Sequence, residues 1–219
     1  MPDIDKINNV AVADISKLDA VTFADGQKVN NQDVSLVTDA HTLIATYTAS
    51  ASSSLDITSG IDSTYDVYEF ILSSLHPSVD AAKVMWQSST DGGSSYGVAT
   101  TTSFYQTYNH ESSGSTNLSY AAGLDAADST SDDIYLTDGV GFDNDQTASG
   151  RILLFNPSNT TFTKHFIAEI QQSSAGNTCN CSRSSGNIST TSAVDALQFS
   201  FDSGNIDAGV IKMFGYELP

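Results

Sequence analysis

Residues 65–72 read Tyr65-Asp66-Val67-Tyr68-Glu69-Phe70-Ile71-Leu72. In an extended chain, successive side chains point to opposite faces. Val67, Glu69 and Ile71 then share one face, and Tyr68, Phe70 and Leu72 share the other. The second face is bulky and wholly apolar, and the residue types suit a pleated surface, so the stretch is expected to be a strand against a core. The next such run, Lys83-Val84-Met85-Trp86-Gln87-Ser88-Ser89, is closed by Thr90-Asp91-Gly92-Gly93. Asp-Gly after an apolar run signals a hairpin turn, because both turn residues can take a positive φ.

Working outward, the same reading gives short strands at 43–49, 54–58, 98–108, 133–137, 151–155, 162–170, 194–201 and 209–218. Turns are expected at Asn156-Pro157, Gly176-Asn177 and Ser203-Gly204-Asn205. Residues 110–150, rich in Ser, Gly and Asp, are expected to form long surface loops. No stretch carries apolar residues at helical spacing, and many short strands with polar turns indicate a sandwich or barrel.

Composition fits this class. Hydrophobic residues make up 39% of the 219, enough to fill a core, while charged residues are only 16%. The polar surface therefore consists largely of Ser, Thr, Asn and Gln, which suit strands and turns better than helices. With 26 acids against 8 bases the net charge is −18, a field that repels phosphate and speaks against nucleic acid as a partner. No apolar run approaches the roughly 18 residues of a membrane span. The start, Met1-Pro2-Asp3-Ile4-Asp5-Lys6, lacks the basic segment and apolar stretch of a signal peptide, so none is expected.

The first forty residues stand apart. Lys6-Ile7-Asn8-Asn9-Val10-Ala11-Val12-Ala13-Asp14 is echoed eleven residues later by Lys17-Leu18-Asp19-Ala20-Val21-Thr22-Phe23-Ala24-Asp25, and a third copy begins Lys28-Val29-Asn30-Asn31. Eleven residues make three α-turns, but Ile7, Val10, Val12 and Ile15 scatter around a helix barrel instead of forming a stripe. Short extended pieces linked by turns are expected instead, forming an arm that gains its burial on another surface. The residues expected to meet a partner are Lys6, Ile7, Val10, Lys17, Leu18, Val21, Phe23, Lys28 and Val29.

Several segments resemble those of marine bacteriophage and cyanophage virion proteins. They are the opening Lys6–Lys17 repeat, Ile57–Phe70, Ser88–Tyr96 and the closing Ser203–Tyr216, in that order along the chain. The resemblance implies a particle component: head decoration, tail or fibre attachment. It also implies other capsid or tail proteins as partners and a homo-oligomer, with trimers common among phage appendages. It carries over no catalytic residue.

Signatures of other chemistry are missing. His41, His76, His110 and His165 are isolated in sequence and form no metal-ligand spacing. No Gly-x-Ser-x-Gly elbow or phosphate-cradling loop occurs. Glu69 and Glu169 are the one carboxylate pair weighed for glycoside hydrolysis, against a plain reading as solvent-facing strand residues. Asp132, Asp133, Asp138 and Asp143-Asn144-Asp145 are oxygen-rich, but the spacing of a calcium loop is lacking. Tyr96, Phe104, Tyr105 and Tyr108 can stack on sugars or serve as core and cross-strand pairs. Asn117, Asn159, Asn180 and Asn187 head glycosylation-type triplets, which a Ser/Thr/Asn-rich chain produces by chance. Cys179 and Cys181 are separated by one residue, too close for an unstrained disulfide, and are expected as free thiols, or as one side of a hairpin with both side chains on the same face.

The expectation is therefore an all-β chain: a jelly-roll-like antiparallel β-sandwich over 41–219, preceded by an extended N-terminal arm over 1–40. Its expected role is that of a non-enzymatic virion structural protein, with no cofactor and no metal. A carbohydrate-binding host-adhesion module, with a host glycan as ligand, is the alternative, and a glycan-degrading enzyme ranks below both.

Overall fold

The computed structural model describes residues 6–7, 10–11, 28–29, 32–33, 41–131 and 134–216. The chain divides at Ala40/His41 into two units.

In the first unit the strands are β1 (Lys6–Ile7), β2 (Val10–Ala11), β3 (Lys28–Val29) and β4 (Gln32–Asp33). β1 pairs with β2 and β3 with β4, both antiparallel.

The second unit holds β5 (Thr42–Ser52), β6 (Leu55–Ile57), β7 (Val67–Pro77), β8 (Val84–Ser89), β9 (Thr100–His110), β10 (Thr116–Tyr120), β11 (Ala148–Phe155), β12 (Lys164–Ser173), β13 (Thr178–Ile188), β14 (Ala196–Phe201) and β15 (Ile206–Tyr216). Its only helical piece among the described residues is a 3₁₀ turn at Ala122–Leu124. Eight strands form one sheet in the order β10-β9-β13-β12-β11-β7-β15-β5, and three form another, β6-β14-β8. Every pairing is antiparallel. The chain is all-β, as its period-two patterning indicates.

The core lies between the two sheets. Tyr68, Phe70 and Leu72 of β7 are fully buried, joined by Ile152 and Leu154 of β11, Phe166 and Ile170 of β12, and Ile211 and Met213 of β15. Facing them, the small sheet contributes Ile57, Val84, Trp86, Leu197 and Phe199. Aromatic rings bridge the layers: Trp86 meets Phe166 edge-on with centroids 4.7 Å apart, and Phe70 meets Phe199 at 6.0 Å. Each fully buried side chain of this size contributes about 1.5–3 kcal/mol. Tyr68 keeps its hydroxyl satisfied inside the apolar layer: it accepts from the Asp62 backbone N–H at 2.9 Å and lies 3.0 Å from the Asp62 carbonyl. Burial, helped by the nearby Asp62 charge, pushes its pKa up to about 12.

β7 and β15 both carry irregularities near their ends, at Ser74 (φ +52) and Gly209 (φ +127). A Cβ at Gly209 would sit 2.7 Å from the Ser74 carbonyl oxygen, so the close crossing of these strands requires glycine there.

Three expectations need correction. The Asp91-Gly92 turn exists, with Gly92 and Gly93 at positive φ, but it makes no hairpin: β8 lies in the small sheet and β9 in the large one. A turn signal specifies reversal of the chain and not which strand pairs next. Asp91 holds the turn by accepting from the Ser95 N–H at 2.9 Å and the Ser89 hydroxyl at 2.7 Å, and these bonds, with that of the Ser95 hydroxyl, bring its pKa down to about 2. Second, the region 110–150 is not all loop, since it contains β10 and the start of β11. β13 lies outside the expected strands, apart from the Cys179–Cys181 step. Its sequence, Thr178-Cys-Asn-Cys-Ser-Arg-Ser-Ser-Gly-Asn-Ile188, has no apolar alternation because it presents Asn180, Ser182 and Ser184 to the interior.

Third, the strand expected at 133–137 is irregular over its described part, 134–137. Residues 134–140 run beside β8, with Trp86 N–H bonded to the Ile134 carbonyl, Leu136 N–H to Val84 and Val140 N–H to Ala82. The ladder is interrupted where the Val84 N–H donates to the buried Thr137 hydroxyl, at 2.8 Å, instead of to a carbonyl. Among the described residues, no helix is long and apolar enough to cross a membrane.

Candidate functional site

The inner face of the large sheet changes character along its width. Across β7, β11 and β15 it is apolar, whereas on β9 and β13 it carries Thr102, Gln106, Asn180, Ser182 and Ser184, all buried. Gln172 of β12, fully buried, adds a further amide, whose Nε2 donates to the Gly139 carbonyl at 3.1 Å. This polar half of the sheet ends in a solvent-connected cleft of about 310 Å³. Its working residues are Gln106 and Tyr108 from β9, Thr178 and Asn180 from β13, and Asp138 from the 134–140 segment.

The register explains this convergence. Asn180 lies opposite Tyr108 on one side and Gln172 on the other, and Ser182 lies opposite Gln106. Asp138 completes the wall because Gly139, at φ +115, passes close to the Ala81 backbone; a Cβ at Gly139 would stand 3.2 Å from the Ala81 carbonyl oxygen. The Gln106 Nε2 donates to Asp138 Oδ2 at 2.6 Å. A carboxylate only accepts, so this bond fixes the amide's orientation and leaves its oxygen as an acceptor. That oxygen has no partner, and neither does Asn180 Oδ1, although both residues are more than nine-tenths buried. A buried acceptor left unpaired costs about 1–3 kcal/mol. Gln172 Oε1, Ser182 Oγ and Ser184 Oγ of the same layer are likewise buried without a partner among the described residues, so a polar layer with spare hydrogen-bonding capacity lies behind the cleft.

The arm residues fall partly within the described chain. Lys6, Ile7, Val10, Lys28 and Val29 lie on β1–β3; Lys17, Leu18, Val21 and Phe23 lie outside the described residues. In the first copy Lys6 pairs with Ala11 and Ile7 with Val10; in the third, Lys28 pairs with Asp33 and Val29 with Gln32. Both ladders flank an Asn-Asn dipeptide, so two copies of the repeat close in the same register.

The outer face of the large sheet gathers other candidates. Glu69 and Glu169 both lie there, on β7 and β12, with β11 between them. Their strands are two spacings, about 10 Å, apart, and each carboxylate has a cation of its own. Arg183 donates to Glu169, whose charge raises the guanidinium pKa; Arg151 Nη1 is 3.7 Å from Glu69, and His41 Nε2 is 2.6 Å from it. The His41 ring stacks on Phe214 at 4.3 Å. Cys179 and Cys181 are free thiols, two positions apart on β13, with Gln171 Nε2 3.3 Å from Cys179 Sγ.

Elsewhere, His76 Nε2 lies 3.1 Å from the Phe142 carbonyl, and the His110 ring accepts from the Ser112 and Ser113 N–H groups within the β9–β10 turn. Asp132 and Asp133 lie outside the described residues. Among the described residues, no group of three or more His, Cys, Asp or Glu is placed to hold a metal ion. Of the four aromatics singled out in sequence, Phe104 is core, Tyr105 is exposed, Tyr96 tucks its hydroxyl inside, and Tyr108 lines the cleft. Gln106 and Asn180 gave no signal in sequence. Asn180 sits between the two cysteines, and a polar residue in a polar strand marks nothing until the sheet turns it inward.

No family model, curated protein or solved structure matches this chain. Function therefore rests on the residues themselves.

Proposed function

We propose that this chain is a non-enzymatic structural component of a bacteriophage particle, carried on the capsid or in the tail or fibre apparatus, and attached through residues 1–40. The observation that carries the reading is the repeat: two of its copies close as the same ladder, in a unit separate from the sandwich. A ladder of two residue pairs buries too little to offset its ordering entropy, about 1–2 kcal/mol per residue for the backbone. The apolar positions Ile7, Val10, Leu18, Val21, Phe23 and Val29 gain their burial on a partner, and Lys6, Lys17 and Lys28 meet the carboxylates that acidic subunits offer. The resemblance to phage virion proteins adds a homo-oligomer among other virion proteins, a trimer by analogy with phage appendages.

The sandwich is read as a jelly roll. Eight segments, β5, β6, β7, β8, 134–140, β11, β14 and β15, pair first with last, second with seventh, third with sixth and fourth with fifth. That nesting is a long antiparallel ribbon rolled into two sheets, an architecture found in viral capsid and lectin domains, which lends the particle reading support by analogy only. On this reading β9–β10 and β12–β13 are insertions that pair with each other through β9 and β13 and widen one sheet. A carbohydrate-binding adhesion module is the second reading. It turns on the cleft in that widened region and is independent of the arm.

Electron microscopy of purified particles labelled with an antibody against residues 41–219 tests the proposal. Label at a regular position on capsid or tail is the expected result. Absence of the chain from purified particles overturns it.

A further inference from the structure

We propose that the cleft between β9, β13 and the 134–140 segment is a binding site for a neutral saccharide. Its open wall presents the exposed Asp138 carboxylate beside the Thr178 and Ser174 hydroxyls, and Gln106 Oε1 and Asn180 Oδ1 lie unpaired behind it, closed to solvent. A ligand that meets this wall must bring donors for the carboxylate and groups that both donate to and accept from the hydroxyls, at close spacing. Sugar hydroxyls do this, and each hydroxyl can also accept from Thr178 or Ser174, whose hydroxyls share one hydrogen bond at the cleft wall. Tyr108, half-exposed beside Asn180, supplies an aromatic surface for the C–H face of a pyranose ring.

Charge narrows the class. Among the described residues that line the cleft there is no lysine, arginine or histidine, and Asp138 is the one acidic side chain. An anionic sugar, sulfate or phosphate would meet a carboxylate and no counter-charge. The cavity size falls at the lower end for small-molecule sites, which suits one or two sugar rings rather than a long chain. The site is also pre-formed, because the Gln106–Asp138 bond locks the amide and the Gly139 crossing locks the wall. All five working residues come from the widened part of the large sheet and the segment beside it. The framework that holds the two sheets together does not depend on them.

The full-length protein is applied to an array of neutral and anionic glycans, and the strongest neutral hit is titrated by calorimetry with and without a calcium chelator. Binding to a neutral glycan, unchanged by the chelator, is the expected result. Asp138→Asn, whose amide oxygen still accepts from Gln106, and Tyr108→Ala are each expected to weaken it by at least about tenfold, with the unfolding temperature retained. The inference is overturned if no neutral glycan binds above background, if anionic glycans are preferred, or if calcium alone binds at the cleft and glycan binding requires it. It is equally overturned if a bound glycan keeps its affinity in both variants. None of these outcomes bears on where the arm attaches.

Discussion

Phe166 on β12 meets Trp86 on β8 edge-on, 4.7 Å between ring centroids, and the pair spans the two sheets. Both residues are fully buried, and Trp86 is the chain's single tryptophan. Phe166→Ala removes the ring from a layer that cannot collapse around the gap, and is expected to lower stability by about 3–5 kcal/mol. Chemical denaturation followed by tryptophan fluorescence reads this directly, because the only indole reports the separation of the sheets. A loss below about 1 kcal/mol would mean that the two layers are not held together here.

Lys164 is a buried lysine with no carboxylate partner among the described residues. Its Nζ lies 3.2 Å from the Thr190 carbonyl and 3.3 Å from the Phe162 carbonyl, and burial lowers its pKa. Lys164→Met is expected to stabilise the fold by about 1–2 kcal/mol, since it removes a desolvated charge and keeps the volume. The pH dependence has a definite sign. Between the lowered folded value and the ordinary 10.5, the unfolded chain binds more protons, so the wild-type protein gains stability relative to the variant as pH rises. The stability gap between the two proteins, measured by urea denaturation from pH 7 to 10.5, is expected to narrow. A constant gap would show that the ammonium carries no burial penalty.

The patterning of residues 65–72 and 83–89 was legible because their inner faces are apolar, and period two then reads as a strand. β13 was not legible, because its inner face is Asn180, Ser182 and Ser184, and polar alternation resembles a loop. The same fact hid the cleft. Tyr108 was noticed as an aromatic, but Gln106 and Asn180 acquire meaning only from the β9–β13 register, which brings together residues some seventy positions apart. The turn at Asp91 was legible and its partner strand was not, since strand pairing across sheets is set by the whole topology. Cys179 and Cys181 were legible as a pair on one face, because a two-residue step in a strand requires it.

Those cysteines remain unbridged in the folded protein. The outward strand geometry keeps each thiol beside its own cross-strand neighbours, Cys179 between Asn109 and Ser173, and Cys181 between Thr107 and Gln171. Intact-mass spectrometry of the native, unreduced protein after alkylation is expected to show both thiols modified, with the exposed Cys179 reacting before Cys181. A peptide lighter by two hydrogens and resistant to alkylation would establish the strained bridge instead.

The arm reading makes the most consequential prediction. Both sheets of the sandwich are built from strands between Thr42 and Tyr216, and among the described residues the buried hydrophobic cluster begins at Ala49. The edge strand β5 starts at Thr42, and His41 before it is already held by Phe214 and Glu69. Deleting residues 1–36 is therefore expected to leave the unfolding temperature within about 2 °C of the full chain, a change equivalent to about 0.5–1 kcal/mol for a domain of this size. The same deletion is expected to abolish incorporation into particles, because the only repeated apolar positions, Ile7, Leu18 and Val29 among them, have gone. Single Lys6→Ala, Lys17→Ala and Lys28→Ala changes are expected to weaken incorporation only slightly, since exposed ion pairs contribute about 0–1 kcal/mol each. Ile7→Asp with Val29→Asp is expected to weaken it far more, because both changes place charge where the ladders need apolar burial. Particles assembled with the truncated chain, and counted by quantitative mass spectrometry against the major capsid protein, decide the matter. Normal occupancy by the truncated chain means that the sandwich, and not the repeat, makes the attachment.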